Sequence, residues 1–148
     1  MKPILLDDNW YYFYSDNAKA NYVAPDLDDS AWIPLPKLSD WAVSSSVQSG
    51  VDWFRRSVPL EPTDACVTYS LQIENVPEAT EIFVNGKRVG AAQARKPFNM
   101  DVTEFVALGR NLISLRLTTQ STQGGGAFGR VRLLPTLCAD ETQYPMPH

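Results

Sequence analysis

Apolar and polar residues alternate with a period of two along several short stretches of the chain. Val67, Tyr69, Leu71 and Ile73 alternate with Thr68, Ser70, Gln72 and Glu74. Successive side chains of a strand point to opposite faces, so this pattern predicts a strand with one buried and one wet face. Ile113, Leu115 and Leu117 alternate with Ser114, Arg116 and Thr118 in the same way, and Val131 and Leu133 with Arg130 and Arg132. Trp10 to Tyr14 and Trp53 to Val58 are rich in the aromatic and β-branched residues that fit a pleated surface. Ile82-Phe83-Val84 runs into Asn85-Gly86 and on into Lys87-Arg88-Val89. Asn-Gly accepts positive φ at both positions, so this segment predicts a hairpin closed by a two-residue type I′ turn. No window of about 15 residues carries a helical apolar stripe. One helical turn is expected, capped by Thr103 and stopped by Gly109. Short strands divided by turn signals predict an all-β antiparallel sandwich.

Composition agrees with one such domain. The chain has 148 residues, 44% hydrophobic and 20% charged, with 11 prolines. Residues 24–49 are rich in Pro, Ser and Asp and read as irregular; residues 136–148 read as a polar tail after a domain spanning 1–135. The net charge is −4, and no basic run exceeds two residues. A phosphate-binding surface needs a concentrated positive field, so nucleic acid is not an expected partner. No run approaches the ~18 apolar residues of a membrane span, and a cytoplasmic location without a membrane partner is expected.

The rare residues exclude chemistry. The single histidine, His148, leaves no basis for a Ser-His-Asp triad, a His-activated thiol or a multi-His metal site. Cys66 and Cys138 are too few for a four-Cys zinc site. They have the option of pairing, but free thiols are expected because no secretory signal precedes them. Gly124, Gly126 and Gly129 match the spacing of a dinucleotide fingerprint. That motif works by opening a helix, whereas Arg130 to Pro135 alternates like a strand, so nucleotide binding is excluded.

The order of motifs carries a resemblance. Trp10 is followed by Asp28-Asp29-Ser30-Ala31-Trp32, Leu35-Pro36 and Trp41. Then come Gly50-Val51-Asp52-Trp53-Phe54-Arg55-Arg56, Phe83-Val84-Asn85-Gly86-Lys87-Arg88-Val89-Gly90, Pro97-Phe98-Asn99-Met100-Asp101-Val102-Thr103 and Gly109-Arg110-Asn111-Leu112-Ile113. From Trp10 to Leu134 the chain resembles the N-terminal sugar-binding domain of family 2 glycoside hydrolases, the β-galactosidase and β-glucuronidase family. The resemblance implies a galactose-binding-like jelly-roll sandwich, and catalysis in a separate barrel domain. A retaining glycosidase needs two carboxyl groups about 5–5.5 Å apart. The family's acid/base Glu follows an Asn, and this chain has no Asn-Glu dipeptide. In the family, an acidic residue in the loop before the last strand reaches the barrel's site; residues 120–128 here contain no Asp or Glu. The chain is therefore expected to be non-catalytic.

Two functions remain. The first is a carbohydrate-binding module, since sugars are gripped by aromatic faces and a few convergent polar groups. Trp41 and Phe128 are the candidate rings, with Arg95, Gln120 and Gln123 as hydrogen-bonding partners. The second is an accessory protein that forms a homodimer or docks onto a separately encoded glycosidase. Arg55 or Arg56 is expected to pair with a carboxylate, and Trp32 and Trp53 to lie in a core. Galactose-binding-like folds often hold a structural Ca²⁺, for which Asp26, Asp28 and Asp29 offer oxygen ligands.

Overall fold

The computed structural model describes residues 2–17, 19–41, 51–118 and 127–138. Its strands, in chain order, are β1 (Ile4–Leu5), β2 (Asp8–Ser15), β3 (Ile33–Lys37), β4 (Val51–Leu60), β5 (Val67–Ile73), β6 (Thr80–Val84), β7 (Lys87–Ala92), β8 (Phe98–Asp101), β9 (Gly109–Thr118) and β10 (Val131–Leu137). A 3₁₀ turn, η1 (Leu38–Asp40), follows β3. The strands form a four-stranded sheet in the order β1-β10-β5-β8 and a six-stranded sheet in the order β3-β2-β4-β9-β6-β7. Every pairing is antiparallel. The all-β antiparallel sandwich expected from the alternation, and implied as a jelly roll by the resemblance, is the fold observed.

The alternating residues meet between the sheets. Leu71, Ile73 and Leu133 from the smaller sheet pack with Trp10, Phe54, Ile82, Leu115 and Leu117 from the larger. A second, smaller core of Val23, Trp32, Val51 and Trp53 lies on the outer face of the six-stranded sheet. From Val51 to Arg55 the central strand β4 is buried on both faces as a result, while Ser57 and Pro59 are exposed. In that first half the even positions face the main core, and the odd positions are covered by Val23, Leu27 and Trp32 from the β2–β3 connection.

Arg55 is one of those odd positions and is fully buried. Its Nη2 donates to the Ala24 carbonyl at 3.0 Å, and its Nε lies 3.6 Å from Asp29 Oδ2. The guanidinium also faces the Trp32 ring, 5.5 Å from its centroid. Burial pulls the Arg55 pKa down, and the charge of Asp29 opposes that shift. Arg56, the next residue, donates to Asp8 Oδ1 at 2.9 Å.

The hairpin forms as expected. Asn85 and Gly86 have φ of 52° and 84°, as a type I′ turn requires. The Asn85 side chain then ties the turn to the next loop. Its amide donates to the Phe105 carbonyl and to Asn111 Oδ1, each at 2.8 Å, and its oxygen accepts from the Leu112 N–H at 2.8 Å. Buried Asn111 donates to the Ala107 and Gly109 carbonyls at 2.8 and 3.1 Å and accepts from the Ala107 N–H at 2.7 Å. The short turn before β9 is thus held from inside by one amide.

Three expectations are corrected. Ile33–Lys37, inside the stretch read as irregular, is a strand despite Pro34 and Pro36. It lies at the sheet edge and pairs with β2 alone, so prolines are tolerated there. The turn expected to be capped by Thr103 is capped by Asp101, whose Oδ1 accepts the Thr103 N–H at 2.9 Å. The Thr103 hydroxyl instead accepts the Tyr69 N–H from β5 at 2.8 Å. Strand β10 continues past Pro135, with Thr136 opposite Thr68 and Leu137 opposite Val67. That register brings Cys138 beside Cys66, and the two form a disulfide with 5.3 Å between Cα atoms, so neither is a free thiol. Residues 139–148 of the expected tail lie outside the described residues.

Replacing Asn111 by Ala leaves buried backbone groups of the turn without partners, a change expected to cost about 1–3 kcal/mol of stability. Urea unfolding of Asn111→Ala against the parent chain measures it, and an unchanged midpoint would show the turn to be held by other contacts. The disulfide closes a loop across a sequence separation of 72. Reduction is expected to cost about 2–4 kcal/mol. Melting with and without a reductant tests this, and thiol labelling of the unreduced chain should give no adduct.

Candidate functional site

At one end of the sandwich, neighbouring strands set a polar pair into an aromatic wall. Strands β2 and β4 place Tyr12 opposite Phe54 and Tyr14 opposite Asp52. Tyr12 and Asp52 therefore share the inward face, one pairing step apart, and the Tyr12 hydroxyl donates to Asp52 Oδ1. Asp52 is only 8% exposed. The end of η1 delivers Trp41, whose N–H bonds the Leu38 carbonyl at 3.1 Å. The Trp41 ring packs against Phe54 at 5.2 Å between centroids, Phe128 at 6.0 Å and Tyr12 at 6.1 Å. Phe128 in turn meets Phe54 edge-on at 5.1 Å. Trp41 is half-buried and forms the outer wall of this cluster.

The electrostatics follow from burial. Loss of water pushes the Asp52 carboxyl above the usual carboxylate range, and the hydrogen bond from Tyr12 opposes that shift. The Tyr12 hydroxyl is pushed well above the usual phenol range, first by burial and then by its hydrogen bond to Asp52; a hydrogen bond with Trp41 acts against this. The pair can accept and donate hydrogen bonds beside an aromatic face. It is one carboxylate with a phenol, which is not the two-carboxyl arrangement of a retaining glycosidase.

The candidate residues separate on inspection. Trp41 and Phe128 are brought together, as two members of one cluster. Phe128, at 2% exposure, is a core ring and offers no face for stacking. It is fixed by its neighbours: the Gly129 N–H bonds the Asn75 carbonyl, and Asn75 Nδ2 donates to the Ala127 carbonyl. Arg95 is exposed, with φ of 63°, on a loop that reaches the same end of the sandwich through its N–H bond to the Val76 carbonyl at 2.7 Å. Gln120 and Gln123 lie outside the described residues.

Asp26, Asp28 and Asp29 are not assembled as a calcium site. The Ser30 N–H occupies Asp28 Oδ1 at 3.0 Å and holds its carboxyl below the usual range, while Asp29 faces Arg55. Among the described residues no three His, Cys, Asp or Glu side chains stand together as a metal site. The acidic run serves the turn and the buried guanidinium, so the residues present do not fit the ion.

Sequence reasoning missed Tyr12 and Asp52. Their signal was the alternation itself, because Asp52 shares the parity of Phe54 and Val58, which puts a carboxylate on the inward face of a strand.

The chain is thus a two-sheet β-sandwich domain with a polar pair set into an aromatic cluster at one end. No family model matches the chain. It is 25% identical over 119 residues to a protein described as a beta-glucuronidase from Formosa agariphila, covering 76% of this chain and 14% of that protein. It is 22% identical over 112 residues to a beta-galactosidase of Bacteroides ovatus, covering 66% of this chain and 13% of that protein. The solved structure of a glycosyl hydrolase family 2 member from Bacteroides cellulosilyticus superposes with a TM-score of 0.73 at 20% identity, covering 92% of this chain and 21% of that one. The chain is thus similar over most of its length to one domain of family 2 glycoside hydrolases, and spans only about a seventh of the curated relatives it matches.

A buried carboxyl with a raised pKa stabilises the fold fully below its unfolded value, and that contribution is lost as pH rises through the folded value. Asp52→Asn keeps an oxygen for Tyr12 and removes the charge. The variant is expected to melt higher than the parent at pH 7, with the difference shrinking as pH falls toward 4. A gain that is the same at both pH values would show that the charge is not its source.

Proposed function

We propose that this chain is a non-catalytic carbohydrate-binding domain, using the end of the sandwich where Trp41 flanks the Tyr12–Asp52 pair. The observation that carries the reading is that cluster: a half-buried indole beside a hydrogen-bonded carboxyl and phenol. An aromatic face suits the C–H side of a pyranose, and the polar pair suits its hydroxyls. Similarity to one domain of much longer glycosidases supports the choice of sugar as ligand class. It equally supports the non-catalytic role, since the matched portion is a small part of each enzyme.

A glycan array on the chain, followed by titration of the strongest binder, tests the proposal. Trp41→Ala is expected to weaken binding by about 5- to 150-fold, equivalent to the ~1–3 kcal/mol of a lost aromatic anchor. Trp41→Phe keeps a ring and should retain part of the affinity. Unchanged affinity in Trp41→Ala at an unchanged melting temperature would overturn this site. The absence of any glycan ligand would leave an accessory domain that docks onto a glycosidase or onto its own copy.

A further inference from the structure

The outer face of the four-stranded sheet carries a row of side chains that the core does not require. Register places Leu5 opposite Arg132, Arg132 opposite Gln72, and Gln72 opposite Asn99, one residue from each of the four strands. The adjoining Leu71, Ile73, Phe98, Val131 and Leu133 are buried, so by alternation this rung faces outward. With Arg130 and Glu74 it lines a hollow of about 390 Å³, within the size range of small-molecule sites.

The donors in this hollow are already arranged. Arg132 Nε donates to Gln72 Oε1 at 2.6 Å, which fixes the plane of the guanidinium and leaves its two terminal nitrogens for another acceptor. The same bond uses the Gln72 oxygen and leaves its NH₂ as a donor. Arg130 contributes a second guanidinium, which has no hydrogen-bond or ion-pair partner among the described residues. Against these two cations stands one carboxylate, Glu74, so the hollow keeps an excess of positive charge in a chain whose net charge is −4.

A planar guanidinium fork matches a planar carboxylate through two parallel hydrogen bonds. The amides of Gln72 and Asn99 beside it match hydroxyl groups, and exposed Leu5 supplies an apolar edge. We propose that this rung binds the carboxylate of an acidic sugar, a hexuronate unit of a glycan. The proposal rests on the carbohydrate reading above and adds a second face to it, separate from Trp41.

Calorimetric titration with trigalacturonate, neutral galactotriose and sodium sulfate tests it. Trigalacturonate is expected to bind more tightly than galactotriose, and Arg130→Gln and Arg132→Gln are each expected to weaken it about 10- to 100-fold, the range for a lost charged hydrogen bond. Arg130→Gln breaks no hydrogen bond or ion pair among the described residues, so its melting temperature should not move. Glu74→Gln should strengthen trigalacturonate binding by removing a repelling charge. Trp41→Ala should leave the contribution of both arginines unchanged. Trigalacturonate binding no tighter than galactotriose, or binding indifferent to both arginines, overturns the proposal. Equal competition by sulfate also overturns it, by showing an unspecific anion site. If galactotriose binds in a Trp41-dependent way while trigalacturonate gains nothing, this inference alone fails. If neither binds, this inference fails, and the carbohydrate reading stands or falls on the glycan array.

Discussion

The buried guanidinium of Arg55 sets the conditions for much of this domain. It sits on the outward-facing side of the central strand β4, where a sandwich would ordinarily meet water. A charge taken out of water is costly unless it is paired, so Arg55 requires something above it. The β2–β3 connection meets that requirement with the Ala24 carbonyl, the Asp29 carboxylate and the Trp32 ring. Once pinned, the connection brings Val23, Leu27 and Trp32 onto Trp53 and creates the second core. It also leads the chain into β3 along the sheet edge and on through η1 to Trp41. The placement of the candidate sugar-contacting ring thus traces back to a cation packed two strands away.

Much of the scaffold was legible because period-two alternation is a local property. Apart from Val67, the apolar residues of β5, β9 and β10 that alternate in the sequence are those that line the main core, and Asn85-Gly86 forms the turn its chemistry demands. What could not be read locally were features set by pairing register. Pro34 and Pro36 argue against a strand until β3 is known to be an edge. Pro135 reads as a stop until β10 is seen to continue opposite Val67 and Thr68. The burial of Ser114 on β9 runs against its alternation, because the cover over that face comes from a segment far away in sequence.

The candidate site was legible only in part, for a related reason. Trp41, in the stretch read as irregular, and Phe128, beside the Gly-rich loop, are the candidate rings from the sequence, and they do meet. Their roles differ because Phe128 is held between Phe54 and Trp41, whereas Trp41 ends a short turn at the rim. Asp52 carries more information than either ring, since an inward carboxylate on a central strand serves no packing purpose. The aspartates 26, 28 and 29 illustrate the opposite case: a local acidic cluster whose members are used by a turn and by Arg55.

The Cys66–Cys138 bond has a topological consequence. It converts the stretch carrying β5 through β10 into a covalent ring, with β1 through β4 as an arm leading into it. Strand β4 of the arm hydrogen-bonds β9 of the ring along ten paired residues. A protease that severs the backbone once anywhere between the two cysteines opens the ring without releasing a fragment. The nicked molecule keeps its mass apart from one added water, and it separates into two pieces only when reductant and denaturant act together. For this domain, an intact band on a non-reducing gel is therefore no measure of an intact chain.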